Sequence, residues 1–334
     1  MKKVIFILSI LLLVCGCEKK QNDVPNDEQV SPPALQVKIV DVNSKTRPIA
    51  VMINNLAAAR PYQSGLQDAY MVYELIVEGG ITRYMALFKD ASTERIGSVR
   101  SSRHYYLDYV LENDAIYAHW GYSTQAKSDI KKLGINNING LVYEGKYFYR
   151  DRKLNVSTEH TGFTSMALLN EGIEKLKYRK TTEKGLLLEY SPTSIDLNEY
   201  GATSDANDIT LKYSNTIINN YKYDPENKNY KRFVNQKEQI DYVTKEQLTV
   251  KNIIVYKVKN DKITNDSKGR QELYNIGNGE GYYITEGKAI KIKWQKTSRE
   301  SKTIYTYENG TPLIVNDGNT FMQIVPEIGD IVIK

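Results

Sequence analysis

Hydrophobic and polar positions follow two different patterns along the chain. From residue 47 to about residue 195, apolar runs such as "PIAVMINN" at 48–55 and "AIYAHW" at 115–120 alternate with segments of helical spacing. Beyond about residue 200, short β-type runs such as "NIIVYKV" and "GYYITEGKAIKIKW" follow one another between Asp, Asn and Gly turns. Fully apolar runs indicate strands buried on both faces, and the short runs indicate a β-rich domain. The pattern predicts an α+β (mixed α/β) fold, with an N-terminal α/β domain containing a mixed sheet at 47–195 and a small β-rich domain at 200–334.

A hairpin is predicted within "VYELIVEGGITRYMALF" at 72–88, because two apolar-rich runs flank Gly79-Gly80. A two-residue turn at these glycines pairs Glu74 with Met85. Charged residues of the hairpin then share one face, on which an arginine lies diagonal to two acids. These residues are Glu74, Glu78 and Arg83.

The stretch "IGSVRSSRHYY" at 96–106 predicts the start of a helix, since its residues from Arg100 on recur at three- and four-residue steps after a possible Ser98 or Ser101 cap. Arg100, Arg103 and His104 then fall in the first turns. The positive end of a helix disfavours each cation by about 0.3–1 kcal/mol unless an anion lies nearby.

Two further helices and one turn are predicted downstream. One helix follows a Ser123 or Thr124 cap and ends near Gly134, and another runs from about Ser165 to Lys177 after a Thr164 cap. The stretch "GNGEG" at 277–281 resembles a phosphate loop, but no helical pattern follows it, so a turn is predicted there.

The N-terminus predicts a secreted lipoprotein. Lys2 and Lys3 precede an eleven-residue apolar run and the sequence "VCGC", which fits a signal peptide at 1–16 with a lipobox and is too short for a stable membrane span. Cys17 becomes the first mature residue, and its diacylated thiol, carrying fatty acids such as palmitate, anchors the protein stably to the membrane. The polar residues at 17–46 form a tether. The predicted location is the extracytoplasmic face of the cell membrane.

Composition narrows the chemistry. The two cysteines are Cys15, which leaves with the signal peptide, and Cys17, so no disulfide, thiolate ligand or catalytic cysteine is expected. A net charge of +5 without a strongly basic domain argues against a nucleic-acid partner. Frequent Lys, Asn, Ile and Tyr indicate that the chain is encoded by an AT-rich bacterial genome, and they favour a Gram-positive bacterium.

All three histidines fall between residues 104 and 160, close in the sequence to the candidate arginines Arg83, Arg100, Arg103, Arg150 and Arg152. Three alternatives stay open for this region: a purely structural set of ion pairs, a site that holds a phosphate or carboxylate in guanidinium forks, or a metal centre. For the metal, His119 and His160 with Glu159 or Asp151 are the conceivable ligands, but no HExxH-like spacing is present and nearby arginines oppose a dication. We therefore predict neither a metal nor a cofactor.

The ordered segments "RPIAVMINN", "ARPYQSG", "VEGGITR", "IGSVRSSR", "DAIYAHWG", "RDR" and "EHTGFTS" resemble the YerB-like bacterial lipoproteins, a family built from domain of unknown function 3048. The C-terminal runs are similar to its companion β-rich domain. The resemblance implies a two-domain envelope lipoprotein, mostly of Gram-positive bacteria, and implies no established reaction. The matching positions include the candidate ligand-binding residues: Glu78, Arg83, Arg100, Arg103, His119, Arg150, Asp151, Arg152, Glu159 and His160. The family pattern does not require His104.

Three functional hypotheses follow. The first is a lipoprotein that uses these residues to bind an anionic envelope component or a protein partner in the envelope. The second is an envelope hydrolase or transferase in which His119 or His160 is the general base and Glu159 orients it. The third is a docking scaffold that uses the β-rich domain.

Overall fold

Residues 36–334 are described by a computed structural model. The predicted signal peptide and Cys17 lie outside the described residues. The last part of the predicted tether packs on the folded body, because the N–H groups of Lys38 and Ile39 donate to the Asp317 carboxylate at 2.9 Å and Val40 is buried.

Helices are few and short. The α-helices are α1 (Tyr106–Glu112), α2 (Thr124–Lys132), α3 (Gly140–Tyr143) and α4 (Met166–Lys175). Short 3₁₀ turns lie at Arg60–Tyr62, Leu66–Asp68, Glu78–Gly80, Thr158–His160 and Leu197–Glu199.

Strands account for most of the regular structure. In the first half they are β1 (Ile49–Asn54), β2 (Met71–Ile76), β3 (Thr82–Phe88), β4 (Ile96–Gly97), β5 (Ile116–His119), β6 (Asn137–Asn139), β7 (Tyr149–Arg150), β8 (Gly162–Thr164) and β9 (Glu189–Ser191). In the second half they are β10 (Thr203–Asp205), β11 (Asp208–Lys212), β12 (Ile218–Asp224), β13 (Asn229–Val234), β14 (Lys237–Glu238), β15 (Thr249–Val250), β16 (Asn252–Val258), β17 (Asn260–Lys262), β18 (Gln271–Leu273), β19 (Gly277–Thr285), β20 (Lys288–Lys296), β21 (Ile304–Tyr307), β22 (Ile314–Asn316), β23 (Thr320–Pro326) and β24 (Asp330–Ile333).

One mixed sheet of eleven strands runs through both halves of the chain. Its order is β10-β20-β19-β16-β23-β2-β3-β1-β5-β6, and β21 pairs with β20. Strand β23 runs parallel to both β2 and β16, while β2, β3 and β1 are antiparallel neighbours. The mixed α and β fold class is confirmed. The boundary near residues 195–200 remains a prediction, since strands from both sides of it join one sheet.

A six-stranded sheet, β14-β13-β12-β11-β24 with β15 paired to β13, packs against the large sheet. Its inner face carries Arg232, which is fully buried and donates to Glu74 of β2 at 2.6 Å and to the Tyr84 hydroxyl of β3 at 2.9 Å. Asn219 also donates to Glu74, at 2.9 Å. Breaking such a buried ion pair by removing one partner leaves an uncompensated charge and costs about 3–5 kcal/mol.

The predicted hairpin forms, but its register is one residue away from the prediction. Glu74 lies opposite Tyr84 instead of Met85, because the turn is the 3₁₀ segment Glu78–Gly80, closed by a hydrogen bond from Val77 N–H to the Ile81 carbonyl. A shift of one residue exchanges the two faces of a strand. Glu74 therefore does not share a face with Arg83, and it points instead to Arg232.

The predicted helix at 100–111 begins later, at Tyr106. The segment from Arg100 to Arg103 is extended, because Arg100 N–H donates to Met52 and Ser102 N–H donates to Gly121. These main-chain hydrogen bonds hold the segment beside the ends of β1 and β5. Because the N–H groups of Arg100 and Ser102 are used in them, these groups do not form the hydrogen bonds of a helix. The arginines thus do not lie in the first turn of a helix, and the helix-dipole argument for a nearby anion does not apply.

The other local predictions have mixed outcomes. Ser123 caps α2 as predicted, whereas α4 is capped by Ser165 instead of Thr164. The "GNGEG" stretch was wrongly predicted as a turn and belongs to strand β19. Its glycines leave room for an indole, since a Cβ at Gly279 would lie 2.8 Å from Trp294 Nε1.

Candidate arginine cluster

Three arginines and two glutamates come together beside the ends of β1 and β5. We call Arg83, Arg100, Arg103, Glu78 and Glu159 the arginine cluster. Strand β3 supplies Arg83, the extended segment before α1 supplies the other two arginines, and the turns Glu78–Gly80 and Thr158–His160 supply the acids. Long sequence separations between these elements make the cluster a product of the tertiary fold.

Glu78 is shared by two arginines. Arg103 donates to both carboxylate oxygens, with Nη2 at 2.9 Å from Oε2, and Arg83 Nη2 lies 3.9 Å from Oε2. Burial opposes the charge of Glu78, but the hydrogen bond from Arg103 and the charges of both arginines outweigh it, so the pKa of this carboxyl is lowered. Glu78 is therefore a carboxylate that holds the two guanidinium groups together.

Arg83 is the most deeply buried cation of the cluster, with 5% of its surface exposed. Its Nη1 donates to the Ser101 carbonyl at 2.5 Å, and its Nε is buried without a hydrogen-bond partner among the described residues. Burial, with the neighbouring charge of Arg103, lowers the pKa of this guanidinium to about 10. With three arginines and two glutamates, the cluster has a net positive charge.

Arg100 and Glu159 form the outer pair. Arg100 Nη2 lies 2.9 Å from Glu159 Oε2, and Nη1 donates to the Glu159 carbonyl at 3.3 Å. The Arg100 side chain is 20% exposed and that of Glu159 is 54% exposed. The hydrogen bond from Arg100 lowers the pKa of the Glu159 carboxyl. A half-exposed carboxylate in this position is held weakly, as surface ion pairs are.

His160 is oriented by Asn54. The Asn54 side chain accepts from Leu56 N–H at 3.0 Å, so its amide group faces His160 Nδ1 at 2.9 Å and that nitrogen accepts. The proton is then on Nε2, which faces Glu159 Oε1 at 3.5 Å. Burial, together with the charge of Arg100, lowers the pKa of His160, so the ring is neutral near pH 7.

His119 lies at the carboxyl end of β5, as predicted, but it is sealed inside the protein. Its Nδ1 lies 2.8 Å from the Gly121 carbonyl and its Nε2 lies 3.1 Å from Asn137 Oδ1. The side chain has no exposed surface, and burial lowers its pKa to about 4. A neutral imidazole has one N–H, so it donates to only one of these two oxygens. The enclosed position keeps both ring nitrogens away from a substrate.

The remaining candidates lie around the edge of the cluster or away from it. Arg150 donates to Glu144 at 2.9 Å and its guanidinium carbon lies 4.3 Å from the Trp120 ring centroid. Asp151 binds Arg95 at 3.0 Å. Arg152 is exposed and has no ion-pair partner among residues 36–334. The structure thus joins Arg150 to the surroundings of the cluster through Trp120 and assigns Asp151 to a different arginine.

His104 points away from the cluster towards the second half of the chain, where its Nε2 lies 2.8 Å from Glu272 Oε1. Close by, Arg299 donates to the carboxylates of Asp108 and Asp129 at 2.6 and 2.7 Å. These contacts join α1 and α2 to the segment after β20.

Sequence reasoning missed the polar residues Asn54, Ser101 and Ser102, which contact the cluster or His160 beside it. It also missed Glu144 and Arg95, which pair with the candidates Arg150 and Asp151. The main-chain carbonyls of Ser101 and Ser102 accept from arginines, and a carbonyl carries no side-chain signal. Asn54 could have been found, since two asparagines directly end an apolar strand, where an α/β sheet places functional side chains.

No group of three or more His, Cys, Asp or Glu side chains arranged to hold a metal ion is found within residues 36–334. In the same part of the chain, no helix has both the length and the apolar character needed to cross a membrane.

Comparison with known proteins defines the class. Together, the mixed sheet and the matching sequence regions define a two-part protein of the kind described as "Protein of unknown function (DUF3048)". The N-terminal domain of that family matches residues 37–179 and its C-terminal domain matches residues 209–322. The chain belongs to the DUF3048 family.

The chain is also similar to a curated relative and to a solved structure. The chain is 26% identical over 322 residues to the "Putative lipoprotein YerB" of Bacillus subtilis, covering 96% of this chain and 93% of that protein. It is also similar to the crystal structure of the YerB protein from Bacillus subtilis, with a TM-score of 0.74, 27% identity, and coverage of 86% of this chain and 94% of that chain. The relative's name supports a lipoprotein, which is associated with a membrane through lipid.

Proposed function

We propose that this protein is a lipoprotein, anchored through Cys17 on the extracytoplasmic face of the cell membrane, that binds a phosphate- or carboxylate-bearing component of the cell envelope at the arginine cluster. The proposal joins the predicted lipid anchor to the excess of positive charge in the cluster. It assigns the protein a binding role and requires no bond to be made or broken.

One observation carries the proposal: three guanidinium groups share two carboxylates, and one of those carboxylates, Glu159, is half-exposed. An external anion can replace Glu159 on Arg100 without opening the buried part of the site. Charge-assisted hydrogen bonds to a planar guanidinium suit carboxylate and phosphate oxygens.

The cluster is also organised before any ligand arrives. Carbonyl groups of Ser101 and Ser102 accept from Arg83 and Arg103 at 2.5 and 2.7 Å, and Glu78 fixes the distance between the two arginines. A preformed site loses less conformational entropy on binding than a mobile one. An incoming anion also relieves the repulsion between neighbouring guanidinium groups.

The contacts of the histidines support binding more than catalysis. A general base must reach the proton that it removes. His119 is fully buried with both ring nitrogens against protein oxygens, and the acceptor nitrogen of His160 is used by Asn54. The hydrolase hypothesis therefore has less support than an anion-binding site.

The test is a thermal-shift and calorimetric titration of the full chain in nonionic detergent, with glycerol 1-phosphate and inorganic phosphate as probes and glycerol as the uncharged control. A probe at 100 times its Kd stabilises a protein by about 2.7 kcal/mol, which moves the melting temperature by a few degrees. We expect the two anions to do so and glycerol to have no effect.

Two variants with opposite expected effects make the test specific. Arg100→Gln should abolish the shift, whereas Glu159→Gln should strengthen anion binding, because it removes the internal competitor for Arg100. Lys291→Gln removes an exposed positive charge on β20 and should leave binding unchanged. Equal affinities in wild type, Arg100→Gln and Glu159→Gln, or no shift with either anion, would contradict the proposal.

A further inference from the structure

A cavity opens between the two halves of the chain. It has a volume of about 380 Å³ and lies between the segment that follows β1 and the segment around β14. Four of its lining residues are apolar: Ala57, Pro61, Val234 and Ile240. The volume falls within the range of small-molecule sites, about 300–1,000 Å³.

Arg60 lies in the wall of this cavity and is only partly exposed. The one hydrogen bond of its side chain within residues 36–334 runs from Nε to the Asn55 carbonyl, at 3.3 Å. Neither of its terminal Nη groups contacts a carboxylate or another acceptor in the same part of the chain. Because these Nη groups are not among the buried atoms without a partner, they stay accessible to an acceptor that enters the cavity.

Glu74, the buried acid whose charge acts on Arg60, already has a partner. Glu74 binds Arg232, and Arg232 has no exposed surface. Burial lowers the pKa of Arg60; of the neighbouring groups, Tyr84 and Glu74 raise this pKa and Arg232 lowers it. Lys237 and Glu238, which also line the cavity, carry opposite charges and offset each other. The cavity therefore has a net positive charge at Arg60 and apolar surface around it.

We propose that this cavity binds a small organic monocarboxylate, whose carboxylate accepts hydrogen bonds from the Nη groups of Arg60 and whose short apolar body packs against Ala57, Pro61, Val234 and Ile240. The two Nη groups of a guanidinium match the two oxygens of a carboxylate. The apolar walls favour a ligand with a hydrocarbon part over inorganic phosphate.

This site is independent of the arginine cluster. Asn54 and Asn55 at the end of β1 are consecutive, but Asn54 contacts His160 whereas Asn55 contacts Arg60 and Glu74. The proposal therefore does not rest on the proposed function, and each can fail without the other.

The experiment is a ligand-observed NMR titration of the full chain in nonionic detergent with hexanoate and with N-acetylvaline. These two probes represent the two sources of the same chemistry, a fatty acid and the carboxyl end of a peptide. Hexanamide and N-acetylvalinamide are the matched probes without charge. We expect at least one acid to bind and its amide to bind at least about 10-fold more weakly, since a hydrogen bond to a charged group contributes about 1.5–3 kcal/mol.

Variants identify the site. Arg60→Gln should weaken binding of the acid by about 10-fold or more. Ala57→Phe fills the cavity and keeps the arginine, so it should weaken binding as well. Lys291→Gln, which removes a positive charge elsewhere, should bind as wild type does. The melting temperature of each variant without ligand reports whether it is folded.

Three results would overturn the proposal. They are failure of both acids to bind the wild-type chain, equal affinity for an acid and its amide, and wild-type affinity in both Arg60→Gln and Ala57→Phe. Binding of hexanoate alone identifies a fatty-acid type of ligand, and binding of N-acetylvaline alone identifies a peptide carboxyl terminus; either result supports the site.

Discussion

Burial divides residues of the same type into different roles. His104 contacts Glu272, and His160 lies between Asn54 and Glu159 and contacts both. His119 is fully buried. Arginines divide in the same way, from the enclosed Arg232 to Arg60, whose terminal nitrogens have no partner within residues 36–334. Residue type alone therefore does not tell a structural group from a binding group here.

The buried imidazole of His119 should make stability depend on pH. Its pKa is about 4 in the folded protein and about 6.5 in the unfolded chain. The unfolded chain therefore takes up the proton first, so the contribution is complete above pH 6.5 and is lost as the pH falls towards 4. The loss should reach about 3 kcal/mol in the free energy of unfolding.

Urea unfolding of the wild type and of His119→Gln at pH 7, 5.5 and 4.5 checks this prediction. The wild type should lose more stability than the variant across this range, and the NMR signal of the His119 ring should show a neutral imidazole down to pH about 5. A ring that titrates near pH 6.5 would show that His119 is open to solvent.

How far single residues were predictable is clear from the arginine cluster. The sequence placed Glu78, Arg83, Arg100, Arg103, Glu159 and His160 among the candidates, and the structure brings these six together. The same reasoning also included Asp151, which binds Arg95, and His119, which is sealed inside. Arg103 and its partner Glu78 are 25 residues apart in the chain, and Arg100 and its partner Glu159 are 59 residues apart. A local sequence pattern cannot assign such partners.

At the scale of elements, the tight link between β5 and α2 supports the cluster. Gly121 in this link has a φ of +83°, and a Cβ placed there would lie 3.1 Å from Ser101 Oγ. Ser101 in turn accepts from Arg83 through its carbonyl. The close approach of the link to Ser101 thus helps to position the guanidinium.

Gly121→Ala should therefore destabilise the protein and weaken anion binding. Gly134→Ala is the matched control, because Gly134 also has a positive φ, of +62°, but has nothing within 4 Å of a Cβ. The control should cost about 1 kcal/mol from backbone strain alone. Gly121→Ala should cost about 2 kcal/mol or more, because Ser101 must also move.

Chemical denaturation gives the two stabilities, and the glycerol 1-phosphate titration gives the binding. Equal costs for the two glycine variants, or unchanged binding in Gly121→Ala, would show that the contact with Ser101 does not position Arg83.

Elements were predicted well where the signal is local. Strands β1 and β5 and the Ser123 cap of α2 follow directly from apolar runs and from a serine before a helical pattern. The prediction that a helix begins near Arg100 is wrong, because main-chain hydrogen bonds to Met52 and Gly121 keep that segment extended. Tertiary hydrogen bonds overrode a helical spacing of only a few residues.

For the whole molecule, the large sheet makes the two halves interdependent. Strand β23 from the end of the chain lies between β2 and β16 and pairs with both along five to seven residues. Without it, β2 would present an unpaired edge in the middle of the sheet. The ion pair of Arg232 and Glu74 adds a buried link between the two sheets.

We predict that residues 36–334 unfold in one cooperative transition. The two tryptophans report on the two halves, since Trp120 follows β5 and Trp294 lies in β20. In each of the variants Trp120→Phe and Trp294→Phe, the fluorescence of the remaining tryptophan and the far-UV circular dichroism should give the same urea midpoint. Separate midpoints in either variant would mean that the halves unfold independently.

Local information in the sequence was enough for the mixed α and β class, the buried strands and a region rich in candidate ligands. These depend on periodicity and on capping, which act over a few residues. The signal peptide and the lipid attachment at Cys17 are also sequence predictions of this local kind.

Only the tertiary structure decided the hairpin register, the partner of each arginine and the joining of both halves in one sheet. The register was set by the three-residue turn at Glu78–Gly80, which turned Glu74 towards Arg232 and left Arg83 with Glu78. Each of these outcomes depends on contacts between residues far apart in the chain. Such contacts are chosen by the packing of whole faces and by the cost of burying an unpaired charge, and neither can be read from a short stretch of sequence.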